Sequence, residues 1–333
     1  MESKVLGFGI LGLGMGLSRA RETVRTPGAR LLCVCDLRED IAKKAAEELH
    51  CDWTTNYTEM LERKDIEVIG VYTPSGMHCD HAIKAMEAGK HVFIAKPMDI
   101  RVEKCDEAIK VAKRKGVVLA VDFQMRYDDL NRRIKEALNA GRLGRLLLAD
   151  LRMKWWRDQS YYDGGFPKGW RSRKGTEGGS AANQGVHFLD LLLWFLGPVR
   201  TVYGMSGTLA HGIETEDISM ALLTFRNGAW GSIITTTFSY PSLGSRIELT
   251  GDRGTIVWND GKLGLYKLKG EESPSLEEFE IPRDAPKNII EDMILAVSKG
   301  TKPAVDGEEG RKSVELFNAI YESSRTGRII ELS

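Results

Sequence analysis

The chain has 333 residues, more than one small hydrophobic core accommodates and enough for two domains. Its 47 basic residues balance 47 acidic ones, so no global field favours nucleic acid or an anionic membrane surface as a partner. The five cysteines, at 33, 35, 51, 79 and 105, are odd in number and form no C-x-x-C pair. They signal neither a disulfide framework nor a zinc knuckle and read as small buried hydrophobes. The N-terminal M-E-S-K lacks the charged start and apolar core of a leader, and the longest aliphatic run, L-L-L-W-F-L at 191–196, is too short to span a bilayer. A cytoplasmic protein is expected.

Up to residue 121, β and α patterns alternate with short connections, the pattern of parallel strands joined by crossover helices. Strands are predicted at 6–11, 30–35, 68–72, 91–94 and 117–121, with amphipathic helices between them, including 82–88 and 102–115. From Arg145 the pattern turns to β-rich segments at 145–156, 199–209, 217–225, 229–238, 245–250, 254–258 and 263–268, punctuated by Asn227-Gly228 and Asp260-Gly261. Helices near 128–140, 184–196, 286–299 and 308–325 suit one face of that sheet; Gly270 to Pro274 reads as an exposed loop. The expected architecture is α/β: a doubly wound Rossmann domain at 1–121, then an α+β domain at 122–333 with a large, mostly antiparallel open sheet. A sheet covered on one face must bury the other against something, and a homodimer or homotetramer built through it is the natural solution.

The stretch V-L-G-F-G-I-L-G-L-G-M-G-L-S-R-A runs from Val5 to Ala20. A bare search for G-x-G-x-x-G finds Gly7, Gly9 and Gly12, which would put the turn inside the apolar run that forms the strand. A pyrophosphate needs a strand, a tight turn and then a helix whose free N–H groups face the anion, and only Gly12 and Gly14 meet that order. Gly12 makes the turn and Gly14 gives a surface without a side chain. The third position counted from Gly12 is Leu17; Gly16 stands one place early and eases the start of the helix. Asp36 ends the second strand in C-V-C-D, 22 residues after Gly14. A carboxylate there accepts from an adenosine ribose and repels a 2′-phosphate, which favours NAD over NADP, with Arg38 leaving some room for NADP. Met15 and Leu37 adjoin these positions and join the expected cofactor contacts.

The strand at 68–72 runs into T-P-S-G-M-H at the carboxyl edge of the sheet, where open α/β sheets bind ligands, which adds Thr73, Pro74 and His78 to the cofactor set. Lys96 follows the next strand and precedes Pro97, so its ammonium is expected to reach the same crevice and to serve both cofactor and chemistry. A lysine beside a desolvated nicotinamide cation gives up its proton more readily, which suits a base or a hydrogen-bond donor. His78 and His81 are three apart but lack further ligands at matching spacing, so no metal is expected.

The order G-I-L-G-L-G, C-D, T-P-S-G-M-H, A-G-K-H-V-F-I-A-K-P and E-G-G-S-A-A-N-Q-G-V-H-F-L-D resembles the glucose–fructose oxidoreductase / inositol dehydrogenase (Gfo/Idh/MocA) family over nearly the whole chain. The resemblance implies an NAD-dependent dehydrogenase of a sugar or polyol. It puts the family's E-K-P lysine on Lys96 and its acid–base histidine on His187, with substrate contacts from Asn183 and Asp190. Two positions depart from the family pattern. Ala95 replaces the glutamate of E-K-P, and Asn183 stands where an aspartate is frequent; asparagine takes no proton, so acid–base work falls on Lys96 and His187.

On the residues alone, His187 and Asp190 are three apart on the helix after a glycine-rich turn and share a face. The segment K-W-W-R-D-Q-S-Y-Y-D-G-G-F-P-K-G-W-R-S-R-K interleaves aromatic faces with hydrogen-bonding groups, as sugar recognition and subunit packing both do. Its substrate candidates are Trp155, Arg157, Tyr161, Tyr162, Trp170 and Arg171; Arg171, Arg173 and Lys174 also suit a phosphate or carboxylate. The leading reading is hydride transfer between NAD and a secondary hydroxyl. The alternatives are a glycosidase that oxidises its sugar transiently on retained NAD, as relatives in the resembled family do, and a non-catalytic NAD or sugar sensor.

Overall fold

Residues 5–332 are described by a computed structural model and fall into two units. The first comprises the chain up to Gln124 with Pro286–Arg311, the second Met125–Ala285 with the chain from Lys312 onward.

In the first unit, β1 (Leu6–Leu11) is buried along its whole length, as expected of a central strand covered on both faces. It is followed by α1 (Gly16–Arg25), β2 (Ala29–Cys35), α2 (Glu39–Leu49), β3 (Asp52–Thr54), α3 (Tyr57–Glu62), β4 (Val68–Val71), α4 (His78–Glu87), β5 (His91–Ala95), α5 (Val102–Lys115) and β6 (Leu119–Asp122). The strands are parallel in the order β3-β2-β1-β4-β5-β6, so the chain reverses direction across the sheet between β1 and β4. α5 occupies the residues its periodicity predicts: Lys113, Arg114 and Lys115 fill its last turn and Gly116, with φ of 65°, ends it. α4 starts four residues earlier than its apolar period suggests, because polar His78 and Asp80 make its first turn after a short 3₁₀ turn at Ser75–Met77. β3 escapes a periodicity reading; it has three residues and sits at the sheet edge. Four of the cysteines are buried and Cys51 is partly so; all five are free thiols.

The second unit contains α6 (Asp129–Asn139), β7 (Leu146–Lys154), α7 (Gln159–Asp163), α8 (Val186–Leu196), β8 (Val199–Gly207), β9 (Ile218–Phe225), β10 (Trp230–Thr236), β11 (Gly244–Gly251), β12 (Gly254–Asn259) and β13 (Lys262–Leu268). After α9 (Ile289–Lys299) in the first unit, α10 (Gly307–Thr326) and the short β14 (Ile330–Glu331) follow. The eight strands run β13-β12-β11-β7-β10-β9-β8-β14, antiparallel except for the β7–β10 pair. Alternation decides the two faces. Leu151, Leu223, Ile233 and Ile247 are buried on one; Tyr203, Met205, Met220, Leu222 and Trp230 are exposed on the other. Cross-strand register sets Tyr203 beside Leu222 and Met205 beside Met220, so the apolar exposure is continuous. No helix among the described residues is long and apolar enough to cross a membrane.

Candidate active site

In the first unit the turn after β1 lies at the carboxyl edge, where the sheet changes direction. Gly12 has φ of 86°, and a Cβ there would stand 2.4 Å from the Tyr72 carbonyl oxygen, so only glycine fits. Its N–H donates to the Cys35 carbonyl at 2.7 Å, tying the turn to the end of β2. Gly14 is the opposite case: a Cβ on it would meet nothing within 4 Å, which leaves the open surface a pyrophosphate needs. Gly16 is the first residue of α1, and a Cβ there would stand 3.0 to 3.1 Å from Tyr72 and Ile10, so a glycine lets the helix start close to the sheet. Gly7 and Gly9 are locked within the unit, with prospective Cβ atoms 2.0 Å from the Asp65 carbonyl oxygen and 2.9 Å from the Met60 sulfur. The first turn of α1 carries no acidic residue to oppose an anion.

Asp36 closes this cradle. It accepts from the Leu13 N–H at 2.8 Å, from the Arg38 N–H at 3.0 Å and from the Arg38 guanidinium at 2.9 and 3.0 Å. Burial raises the carboxyl's proton affinity, but these donors outweigh it and hold the group below its ordinary value, ionised and acceptor-ready. Met15 and Leu37 are each 76% exposed beside the turn, the apolar surface a flat heterocycle would cover. Thr73 and Pro74 follow β4, and the Thr73 hydroxyl lies 3.2 Å from His81 Nδ1. The His78 ring is buried, its nitrogens 2.8 Å from the Pro97 carbonyl oxygen and 2.6 Å from that of Thr73; burial pushes its pKa down. His78 thus links the T-P-S-G-M-H turn to the Lys96-Pro97 turn. Lys96 itself is partly exposed just past β5.

Two further clamps in this unit went unread in the sequence. Asp122 at the end of β6 accepts from Tyr72 Oη and Arg19 Nε, both at 2.6 Å, binding α1 to two strand ends. Asp99 is fully buried and accepts from the N–H groups of Ile100, Arg101 and Cys79, shaping the chain just after Lys96-Pro97. Its Asx-turn chemistry after a Lys-Pro pair is a local signal that could have found it.

In the second unit, the glycine-rich segment before α8 is a wide π-helical turn, Ser180–Gly185, where the periodicity suggests α-helix from 184. Small residues permit it: a Cβ on Gly179 would lie 2.1 Å from the Glu216 carbonyl oxygen, and one on Gly185 2.8 Å from the Ser180 carbonyl oxygen. From Gly179 to Asp190 every residue is buried except Asn183 and His187. Asp190 is 1% exposed, and Arg126 donates to its two oxygens at 2.7 and 2.8 Å while lying 4.7 Å above the Trp194 ring. Sequence spacing alone did not reveal that partner. Beneath the turn sits Glu216, also unread in the sequence, accepting from Ser180 Oγ, Ala181 N–H and Tyr321 Oη.

The aromatic segment begins where β7 ends. Trp155 N–H and Arg157 N–H donate to the carbonyls of Thr236 and Thr237 at 3.0 and 2.7 Å, and the Asp158 side chain caps α7. The Arg157 guanidinium lies 5.1 Å from the Trp155 ring and 5.4 Å from the Tyr161 ring; Arg171 lies 4.7 Å from both Tyr161 and Trp170. Tyr161 Oη accepts from Gln184 Nε2 at 3.0 Å, which joins the ladder to the turn carrying Asn183. Tyr162 differs from its neighbours. It is 2% exposed, with its hydroxyl 2.6 Å from Thr237 Oγ1, a position in the packing beneath.

An open glycine turn at the reversal point of a parallel sheet, closed by an ionised strand-end carboxylate, is the construction of a dinucleotide-binding oxidoreductase. The chain belongs to the GFO/IDH/MocA family: residues 6–123 match its NAD-binding Rossmann-fold oxidoreductase model and residues 131–257 its C-terminal domain model. It is similar to the WlbA dehydrogenase from Bordetella pertussis, solved in complex with NADH and UDP-GlcNAcA, at 32% identity and a TM-score of 0.90 over 99% of both chains. The corresponding dehydrogenase from Chromobacterium violaceum, solved with the same two ligands, is 30% identical with a TM-score of 0.90 over 100% of this chain and 97% of that one. The scyllo-inositol 2-dehydrogenase (NAD(+)) of Bacillus subtilis strain 168 is 27% identical over 335 residues, covering 97% of this chain and 95% of the relative. The protein is an NAD-binding dehydrogenase, as the motifs implied.

Proposed function

We propose that the protein oxidises a secondary hydroxyl of a sugar, sugar derivative or polyol, with Lys96 and His187 as its acid–base and orienting groups. The observation that carries this reading is the selective exposure on the wide turn: between Gly179 and Asp190 only Asn183 and His187 reach solvent. Four residues apart at a helix start, they form one polar face suited to a hydroxyl and its neighbour on a ring. NAD, held by the glycine turn and Asp36, would supply the hydride acceptor. Asn183 donates or accepts a hydrogen bond without titrating and orients the ring. Lys96 and His187 hold the reacting hydroxyl, take up its proton and stabilise the oxyanion that grows as the hydride leaves. Gly12, Gly14, Gly16 and Asp36 hold the cofactor, flanked by Met15, Leu37, Thr73 and Pro74. The relatives' names support the substrate class, since UDP-GlcNAcA and scyllo-inositol both present ring hydroxyls. The exposed apolar sheet face of Tyr203, Met205, Met220, Leu222 and Trp230 is the surface we assign to pairing with a second copy.

The test is NADH absorbance with enzyme, NAD and pools of hexoses, uronic acids, inositols, sugar phosphates and nucleotide sugars. One responding pool is expected. Lys96→Ala should lower turnover by about a hundredfold or more while NADH affinity stays unchanged. Unchanged turnover would remove Lys96 from the mechanism, and silence from every pool in protein that binds NADH would favour a retained-cofactor glycosidase or a sensor.

A further inference from the structure

The ladder Trp155–Arg157–Tyr161–Arg171–Trp170 holds two partly buried guanidinium groups on aromatic faces. Neither is paired with a carboxylate among the described residues; the Arg157 guanidinium donates to the Trp156 carbonyl, at 2.9 Å. The nearby acids hydrogen-bond to other groups. Asp158 accepts from the Tyr161 N–H, Asp163 from Gln159, Glu177 from the Gly178 N–H and Glu214 from the Lys174 N–H. From Gly164 to Thr176 the chain carries Lys168, Arg171, Arg173 and Lys174 and no acidic residue.

A guanidinium that loses water without gaining a counter-ion keeps part of its desolvation cost, and an aromatic face offsets only some of it. The remainder is recovered when an anion arrives. The ladder is also built in advance. Arg157 is fixed through its own backbone, its N–H donating to Thr237 and its carbonyl 2.8 Å from His211 Nε2. Tyr161 is fixed at its hydroxyl by Gln184. Gly165 lies so close that a Cβ would stand 2.5 Å from Trp170 Nε1 and 2.8 Å from an Arg171 nitrogen, so this loop is shaped around the Arg171 side chain. Forks held this way cost little ordering on binding and match the planar geometry of an oxyanion.

We infer that the substrate is an anionic sugar, and that Arg157 and Arg171, spaced by Tyr161, bind its carboxylate or phosphate while the reacting hydroxyl lies at Asn183 and His187. The inference rests on the proposed hydroxyl site and adds the substrate's charge to it. Neutral inositols and hexoses are then poor substrates.

The experiment compares sugars that differ by one oxyanion: glucose against glucuronate and glucose 6-phosphate, and UDP-N-acetylglucosamine, whose diphosphate is charged in both members, against its uronic acid. It measures NADH formation and, in parallel, calorimetric binding to the NADH-loaded protein. The member with the added oxyanion is expected to exceed its partner by about tenfold or more in kcat/KM or affinity in at least one pair. The uronate and phosphate arms tell which oxyanion is read. Arg171→Gln and Arg157→Gln should each remove that advantage, through a rise in KM for the charged sugar that exceeds the rise for its partner. A steep rise of KM with added salt for the charged sugar alone gives a second readout should a variant not fold. Equal handling of charged and neutral sugars, or equal loss of both in the variants, overturns the inference. If no sugar yields NADH but a charged one binds with Arg171-dependent affinity, the dehydrogenase reading fails and this one stands.

Discussion

Glu216 accepts a 2.6 Å hydrogen bond from the Ser180 hydroxyl, directly beneath the turn that exposes Asn183 and His187. The Ala181 N–H and the Tyr321 hydroxyl, each at 2.8 Å, complete its surroundings. A single side chain therefore fixes both residues that begin the π-helical turn and ties them to α10. Burial dominates its titration: desolvation pushes the carboxyl from 4.5 up to about 7, even though all three donors favour the ionised form.

A pH dependence of stability follows. The folded protein keeps the Glu216 proton between roughly pH 4.5 and 7 while the unfolded chain has released it. The associated stability is complete below the lower value and is lost as pH rises through about 7. From pH 5 to pH 8 the loss is on the order of 3 kcal/mol. Denaturant midpoints at those two values should fall in the native protein and stay nearly level for this contribution in Glu216→Gln. The same slope in both proteins would sink the assignment.

Patterns confined to one element could be read from the sequence, and relationships between distant residues could not. α5 matches its apolar period residue for residue because Gly116 and three basic residues mark its end. β1 and Asp36 were legible for a similar reason, a strand, a turn and a strand-end acid at regular spacing. Ser180–Gly185 was hidden because a π-helical turn shifts the periodicity without breaking it, leaving residues that still look helical. Glu216 and Arg126 were hidden because their partners lie 36 and 64 residues away in sequence. The role of Gly16 needed the neighbouring strand, since only Tyr72 and Ile10 show that the helix start has no room for a Cβ.

Gly12 and Gly14 make opposite demands, and substitution separates them. Gly14→Val places its Cβ where nothing beyond the adjacent residues lies within 4 Å, so the melting temperature should hold. NADH affinity should fall by about tenfold or more, because the cofactor loses its approach to the backbone. Gly12→Ala meets both a positive φ and the Tyr72 carbonyl 2.4 Å away. It should destabilise the protein by about 2 kcal/mol, with weaker binding as a consequence of the distorted turn. Thermal melts paired with fluorescence titration of NADH check both variants, and a destabilised Gly14→Val would show that the open surface is filled by something other than cofactor.

Asp190 shares a helical face with His187, but its geometry assigns it to the scaffold. It is 1% exposed and receives the Arg126 guanidinium in a two-pronged contact, with the Trp194 ring 4.7 Å from that guanidinium. Removing one member of a buried pair leaves the other charge without compensation, a cost of about 3 kcal/mol or more. Asp190→Ala should therefore lower stability by that amount in urea titration, and the joint change Arg126→Met with Asp190→Leu should restore most of it, since neither charge then remains to be desolvated. NADH affinity should be the same in all three proteins. If Asp190→Ala instead melts like the native protein and raises only the KM of the substrate, the carboxylate contacts substrate, and the buried pair with Arg126 has no structural weight.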